Sequence, residues 1–208
     1  MDNGGAKVEF YAAAPPRPPR PVSRRPPNAV RIIGGRCRGR IVRFPPAAAL
    51  RPTPDRVRET LFNWLGQDLA GRVTLEPYAG SGVLSLEALS RGAARAVAVD
   101  RDPKAVAAIA GHARAFGLDG LEARRADAKA FLERDADRYD VVFLDPPFGD
   151  DPWPWLLPLA AARLAAQGAI YAEAGHPLAA PPELVVVRSD RAGQVYYHLL
   201  RPASHASR

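Results

Sequence analysis

The chain has 208 residues, of which 47% are hydrophobic and 25% are charged, so it can bury a sizeable core and is not disordered throughout. Its net charge of +7 indicates a polyanionic partner. One cysteine excludes a disulfide framework, and the four widely separated histidines lack metal-ligand spacing. No apolar run approaches the roughly 20 residues of a membrane span, and the N-terminal residues lack the apolar stretch of a signal peptide. We therefore expect a soluble cytoplasmic protein that binds neither a metal nor a membrane.

The positive charge is concentrated in the first third of the chain. Residues 1–72 contain 14 lysines and arginines against 5 acidic residues, whereas residues 73–208 contain 15 against 17. Arginine binds phosphates bidentately and stacks on bases, so its excess over lysine suits RNA, although a GC-rich genome also explains that ratio. Seven prolines interspersed with arginines predict that residues 1–28 form a disordered tail.

A basic hairpin and a helix are predicted after the tail. The strand-like runs Val30–Ile33 and Arg40–Phe44 surround glycines, which is typical of a hairpin. Thr53 as N-cap and Pro54 at the first helical position then predict an amphipathic helix that continues to about Leu69.

From Arg72 onward, short apolar runs alternate with helical stretches, a pattern that predicts a doubly wound parallel sheet. The predicted strands are Val73–Glu76, Ala96–Asp100, Leu121–Arg124 and Tyr139–Leu144. The predicted helices are Val83–Arg91, Pro103–Phe116, Ala128–Arg134 and a proline-interrupted helix near Trp155–Ala166. Three more strand-like runs follow, Ala169–Ala172, Glu183–Val187 and Gln194–Leu200, of which the last two predict an antiparallel hairpin. We therefore divide the chain into the tail, an N-terminal extension (residues 29–71) and an α/β domain (residues 72–208).

A glycine turn and three acidic residues follow the predicted strands where ligands bind in such sheets. Gly80 and Gly82 lack a Cβ, which lets the backbone approach a ligand. Glu76 is placed to bind an ammonium group, Asp100 the hydroxyls of a ribose, and Asp127 the edge of an adenine. A tight strand–helix connection would explain the glycines alone, so the three acids carry the prediction of a nucleotide-like cofactor.

The pattern of the turn and the acids resembles the S-adenosylmethionine pocket of class I methyltransferases. Ser85 stands where a dinucleotide-binding turn has glycine or alanine, which argues against NAD. The resemblance implies that residues of the same loops also contact the cofactor: Ala79, Ser81, Arg101 and Ala128.

The tetrapeptide Asp145-Pro146-Pro147-Phe148 follows the apolar run Val141–Leu144. An exocyclic amine on a base is a poor nucleophile, and acceptors for its hydrogens can orient its lone pair toward a methyl donor. Asp145 offers a carboxylate, Pro146 a main-chain carbonyl, and Phe148 a ring that can stack on an extruded base. A proline-rich loop with Asp145 as a cap is the structural alternative. The tetrapeptide resembles the Asn/Asp-Pro-Pro-Tyr/Phe signature of amino-group methyltransferases.

Longer motifs resemble the RsmD family, bacterial methyltransferases that modify guanine N2 in 16S ribosomal RNA. Five stretches carry the resemblance: Arg31–Arg40, Arg51–Leu65, Ala79–Gly82, Leu86–Ala93 and Asp145–Phe148. It covers about residues 30–200 and implies a Rossmann-like class I fold, with a seven-stranded, mostly parallel sheet whose last strand is antiparallel. In three places the chain departs from the usual pattern: Glu76-Pro77-Tyr78, Ser85 and Cys37.

The resemblance also implies partners and roles. S-adenosylmethionine is the expected cofactor, and 16S rRNA, free or within a 30S subunit or its assembly intermediate, is the expected substrate of a monomeric enzyme. Asp145, Pro146 and Phe148 would hold the target guanine. We expect RNA contacts from the arginines of the extension, with Arg36, Arg38 and Arg40 on one face if their segment is extended. The full set is Arg31, Arg36, Arg38, Arg40, Arg51, Arg56 and Arg58.

Two other functions stay open from the sequence. A DNA methyltransferase acting on adenine N6 or cytosine N4 would use the same tetrapeptide, but 208 residues leave no room for a target-recognition domain. A non-catalytic RNA-binding protein with a decayed cofactor pocket is supported only by Pro77 and Ser85. Cofactor titration distinguishes this second possibility from both enzymes.

Overall fold

The computed structural model describes residues 28–45, 53–147, 149 and 151–205. The predicted tail therefore lies outside the described residues, apart from Asn28. Two predicted site residues, Arg51 and Phe148, also lie outside them.

The described chain contains a short hairpin, a helix and then alternating strands and helices. The strands are β1 (Ala29–Arg31), β2 (Ile41–Arg43), β3 (Val73–Glu76), β4 (Arg95–Asp100), β5 (Leu121–Arg125), β6 (Tyr139–Leu144), β7 (Leu164–Ala174), β8 (Leu184–Ala192) and β9 (Val195–Pro202). The helices are α1 (Asp55–Leu65), α2 (Val83–Ser90), α3 (Pro103–Phe116), α4 (Ala128–Arg134) and α5 (Trp153–Ala161). None of these helices is long and apolar enough to cross a membrane.

Seven strands form one mixed sheet in the order β5-β4-β3-β6-β7-β9-β8. The pairs among β3 to β7 are parallel, whereas β9 is antiparallel to both β7 and β8. Consecutive parallel strands are connected by helices, as right-handed crossovers require. The predicted class I architecture, including its antiparallel C-terminal hairpin, is confirmed.

The predicted N-terminal hairpin is confirmed, because β1 and β2 pair antiparallel with Val30 opposite Val42. Several boundaries differ from the prediction, among them those of the helices α1 and α5. Helix α1 ends at Leu65, since Gly66 follows with a φ of 95° that an α-helix cannot continue. Helix α5 begins at Trp153 and ends at Ala161, after which the chain enters β7 at Leu164.

Helix α2 is buried on all sides, and this burial explains how the N-terminal extension is held. One face of α2 packs on the sheet, and the hairpin and α1 cover the rest. The Ser90 hydroxyl donates to the Gly34 carbonyl at 2.7 Å and accepts from the Cys37 amide at 2.9 Å. Hydrophobic side chains of the extension and of α2 form one core, so the extension is a packed part of the described fold.

Candidate active site

Four acidic residues lie at the carboxyl ends of four neighbouring strands. Glu76 and Asp100 end β3 and β4, Asp145 follows β6, and Glu173 is the penultimate residue of β7. The parallel strands pair side by side in the order β4-β3-β6-β7, so their carboxyl ends share one edge of the sheet. This edge is where ligands bind in doubly wound sheets.

Glu76 is enclosed beneath the start of α2. Its Oε2 accepts from the Ser85 amide at 2.9 Å and from the Ser85 hydroxyl at 2.5 Å. Burial raises the pKa of Glu76 to about 7, and the hydrogen bonds from Ser85 oppose that shift. Ser85, which departs from the family pattern, therefore donates hydrogen bonds to Glu76, the residue predicted to bind the ammonium group.

Asp100 accepts backbone hydrogen bonds through both of its carboxylate oxygens, and one of these bonds holds the glycine turn. Oδ2 accepts from the Gly80 amide at 2.8 Å, and Oδ1 accepts from the Asp102 amide at 2.8 Å. Gly80 and Gly82 both have left-handed backbones, with φ of 49° and 70°. A Cβ on Gly82 would lie 2.6 Å from Cγ1 of Ile109, so this glycine is required for packing against α3 as well as for the turn.

The loops beyond β3 and β5 bring two more groups together. Asp127 is exposed and caps α4, because its Oδ1 accepts from the Ala130 amide at 3.0 Å. Burial, and secondarily the charge of Asp127, raises the pKa of the Tyr78 hydroxyl to about 12. Tyr78 was noted in the sequence only as a departure from the family pattern, and the structure brings it near Asp127. The remaining predicted cofactor residues lie after β3, β4 and β5: Ala79, Ser81 and Ala128 are buried, and Arg101 is exposed.

Pro146, which directly follows Asp145 in the chain, lines a cavity of about 270 Å³. Pro146 and Pro147 form one side of it, and Trp153, Glu173 and His176 contribute to the others. Burial raises the pKa of Asp145 well above its ordinary value, and the negative charges of Glu173 and Glu76 raise it further. These three carboxyl groups are therefore close enough to influence one another electrostatically.

Glu173 is a site residue that the sequence analysis missed. It is only 4% exposed, and its Oε1 accepts from the Thr53 hydroxyl at 2.8 Å and from the Tyr171 hydroxyl at 2.9 Å. Burial raises its pKa, while these two hydrogen bonds lower it. The signal was available, because Glu173 ends an apolar strand in the same way as Glu76 and Asp100. The expected N-cap role of Thr53 is wrong: α1 has no side-chain cap, and the Thr53 hydroxyl is directed to Glu173 instead.

Arg58 is not a surface residue, which corrects one predicted RNA contact. Its side chain is fully buried, with Nη1 2.6 Å from Glu87 Oε2 and Nη2 2.6 Å from Asp55 Oδ1. Glu87 also receives the Arg91 guanidinium at 2.9 Å and the Ile33 amide at 3.3 Å. Arg58 therefore connects the extension to α2 and is not available to a phosphate.

The remaining described arginines of the predicted RNA surface are exposed, but they do not lie on one strand face. Residues 36–39 form a turn, so the extended geometry that would align Arg36, Arg38 and Arg40 is not present. Arg36 Nη2 donates to the Gly117 carbonyl at 2.7 Å, and the Arg40 guanidinium lies 5.4 Å from the ring centre of Phe116. Arg31 approaches Asp55 at 3.6 Å, and Arg56 is exposed on α1. Within the described chain, no group of histidine, cysteine or acidic residues is arranged to hold a metal ion.

Comparison with known proteins identifies the family. The family model described as Conserved hypothetical protein 95 matches residues 30–201. Ribosomal RNA small subunit methyltransferase D of Haemophilus influenzae is 34% identical over 184 residues, which are 83% of this chain and 95% of that protein. The chain belongs to the RsmD family. The Escherichia coli K12 protein of the same name is 41% identical over 119 residues, and that match spans 57% of this chain and 60% of the relative.

Solved structures agree with this membership. The Escherichia coli structure titled putative methyltransferase yhhF is 36% identical, with a TM-score of 0.75 over 84% of this chain and 98% of that one. The Thermus thermophilus 16S rRNA N2 G1207 methyltransferase, solved with AdoMet and guanosine, is 22% identical with a TM-score of 0.61. It covers 84% of this chain and 49% of its own, and it shares the fold. Both the family and the methyltransferase fold predicted from the sequence are thus confirmed.

Proposed function

We propose that this RsmD-family protein transfers a methyl group from S-adenosylmethionine to the exocyclic N2 of a guanine in 16S rRNA. One observation carries the proposal: Pro146, which directly follows Asp145, lines a cavity at the carboxyl end of β6, next to the strand that leads into the glycine turn. A donor bound on the turn and a base bound in the cavity would meet at Asp145. Relatives named Ribosomal RNA small subunit methyltransferase D support the choice of RNA as substrate.

The residues around the glycine turn fit the cofactor. Each Asp100 oxygen accepts one backbone hydrogen bond and keeps capacity for a ribose hydroxyl. The Tyr78 ring and Asp127 lie together where an adenine would be bound. Glu76 would counter the ammonium charge, since a bound cation favours ionisation of a carboxyl group whose pKa is about 7. The cofactor supplies a methyl group on a positively charged sulfur.

Asp145 would hold the target amine and receive its proton. Hydrogen bonds from the amine to the Asp145 carboxylate and the Pro146 carbonyl would direct the nitrogen lone pair toward the methyl group. Once methylated, the nitrogen would carry a surplus proton, which Asp145 would accept. The raised pKa of Asp145 suits it to accept that proton.

The decayed-pocket alternative loses its main support. Ser85 donates two hydrogen bonds to Glu76, and this is the arrangement of an organised pocket. Pro77 is buried and leaves the Gly80 amide free to bond to Asp100. The DNA methyltransferase stays a second candidate only through the shared tetrapeptide.

The described exposed arginines of the extension are our candidates for binding the RNA backbone: Arg31, Arg36, Arg38, Arg40 and Arg56. Arg51 is proposed from the sequence alone, and so is the stacking role of Phe148, since both lie outside the described residues. The small ribosomal subunit as substrate, the monomeric state and the cytoplasmic location stay predictions.

Methylation of ribosomal particles tests the proposed function. Small subunits and protein-free 16S rRNA from a strain lacking the enzyme would be incubated with the protein and radiolabelled S-adenosylmethionine, with duplex DNA as the competing substrate. We expect label in RNA, at N2 of one guanine when the modified nucleoside is mapped. Label in DNA would favour the second candidate, and cofactor binding without transfer to any substrate would contradict both enzymes.

A further inference from the structure

Two acidic residues, Glu173 and Asp151, line the cavity that Pro146 borders. Glu173 lines this cavity together with Pro146 and Pro147, at the end of the strand next to β6. Hydroxyl groups of Thr53 and Tyr171 both donate to its Oε1. Within the described part of the chain, no donor bonds to Oε2. The side chain is thus oriented through one oxygen and keeps the acceptor capacity of the other.

Guanine, adenine and cytosine differ at the ring nitrogen next to the reactive amine. In adenine the ring nitrogen beside N6 is an acceptor, and in cytosine the ring nitrogen beside N4 is also an acceptor. Guanine alone presents a ring N–H, at N1, beside its amine. A base extruded into a pocket is identified by hydrogen bonds to this edge. Two adjacent acceptors therefore match guanine and oppose the other two bases.

We propose that Glu173 Oε2 accepts the N1–H of the target guanine while Asp145 accepts from its N2 amine, so that Glu173 determines base specificity. This inference rests on the proposed function. Thr53 and Tyr171 are positioning residues, because their hydroxyl groups fix the carboxylate without contacting the base. Thr53 directly precedes Pro54 and helix α1, so the extension also contributes to the base pocket.

Electrostatics supports the pairing. Burial raises the pKa of both Glu173 and Asp145, and the negative charge of Glu173 raises the pKa of Asp145 further, while Arg58 opposes the shift of Glu173. Two N–H donors from guanine would stabilise both charges, whereas the lone pair of adenine N1 or cytosine N3 would add repulsion. A site that hydrogen-bonds a particular substrate group strongly rejects analogues without that group, because the buried protein group that binds it is then left unpaired.

A base analogue separates this role from a structural one. The mapped target segment would be prepared as RNA containing either guanine or 2,6-diaminopurine at the methylated position. The analogue keeps the N2 amine but has an acceptor at N1. For the unaltered protein we expect kcat/KM to favour guanine by at least about 100-fold. Glu173→Gln should reduce that preference at least about tenfold, because the amide of Gln can donate to N1 of the analogue.

The matched control is Glu183→Gln, which makes the same chemical change at an exposed position. It should keep the parental preference, and both variants should keep the parental affinity for S-adenosylhomocysteine. If the unaltered protein methylates guanine RNA but Glu173→Gln leaves the preference unchanged, the inference is wrong. If Glu173→Gln does not fold, equal methylation of both RNAs by the unaltered protein overturns it. Failure to methylate guanine RNA at all would instead refute the proposed function.

Discussion

The carboxyl edge of the sheet and the N-terminal extension differ in how well the sequence predicts where their charged side chains lie. At the sheet edge, Glu76, Asp100 and Asp145 lie where their positions after predicted strands require. In the extension, Arg58 is completely buried while Arg38 is exposed, although both belong to the same basic region. The ends of parallel strands are brought together by topology alone. The surroundings of a helical arginine depend on what packs against that helix.

The largest expected effect concerns Arg58, the buried arginine of the extension. Arg58→Ala would leave Glu87 and Asp55 without their shared partner, and breaking a buried ion pair costs about 3–5 kcal/mol. We expect urea denaturation to show a loss of that size in the free energy of unfolding. Arg38→Ala, at an exposed position, should have no measurable effect. Equal stabilities of the two variants would show that Arg58 is not structural.

The next largest effect concerns Asp145, the proposed catalytic residue at the sheet edge. Asp145→Ala removes the proposed acceptor of the target amine, and losing one transition-state hydrogen-bond partner typically lowers kcat by about 10²–10³-fold. Cofactor affinity, measured by calorimetry, should be retained because the proposed contact of Asp145 is with the base and not with the cofactor. Asp145→Asn should keep part of the rate if orientation alone matters, and should match Ala if a negative charge is required. A fully active Asp145→Ala protein would remove the central residue of the mechanism.

The pKa of Glu76 predicts a pH dependence. Because its pKa is raised from 4.5 to about 7 on folding, the folded state binds more protons between these values. Unfolding free energy should therefore fall as pH rises from 4.5 to 7, by about 3 kcal/mol for this group. Glu76→Gln should remove that decrease, whereas Glu59→Gln, at an exposed position, should not. Parallel pH profiles for all three proteins would contradict the burial of an ionisable Glu76.

Asp100 is expected to have a smaller effect, on cofactor binding. Asp100→Ala removes the proposed ribose acceptor and the support of the Gly80 turn, and a hydrogen bond to a charged group contributes about 1.5–3 kcal/mol. Affinity for S-adenosylmethionine should fall roughly tenfold to a hundredfold. Asp102→Ala is the matched control, because it removes only the N-cap of α3. Unchanged affinity of Asp100→Ala would exclude this residue from the pocket.

The smallest expected effect concerns the exposed arginines of the extension. Replacing Arg36, Arg38 and Arg40 with Ala should reduce the salt dependence of RNA binding by roughly two units of log K per decade of salt, at about 0.7 per phosphate contact. Cofactor affinity should stay unchanged. Residues 36–39 form a turn and not a strand, but the exposed guanidinium groups of these arginines can still reach separate phosphates.

A charge-matched control lies outside the extension. Alanine at Arg114, Arg134 and Arg188, which are all exposed, should leave the salt dependence as in the unaltered protein. If this control reduces it as much as the first triple variant, the RNA surface lies elsewhere.

Much of the fold could be predicted because its signals are local. Strands β3 and β6 and helices α3 and α4 have their predicted boundaries, since apolar runs and N-caps such as Asp102 and Asp127 mark them. Helix α5 and strand β7 were displaced, because the segment between Pro152 and Gly168 is almost uniformly apolar and lacks a clear period.

The sequence alone determined the parallel sheet, the glycine turn and the acids that end the strands, because the alternation of strands and helices and the chemistry of turns follow from neighbouring residues. Only the tertiary structure decided that Arg58 is enclosed, that the Thr53 hydroxyl bonds to Glu173, and that Glu173 lines the cavity next to Pro146. Thr53 and Glu173 are 120 positions apart, and no local pattern connects them. Their contact exists because Thr53 lies just before α1, which packs on the sheet with Phe62 against Phe143 of β6 and Trp64 against Tyr197 of β9. A polar group buried there is stable only if it finds a partner.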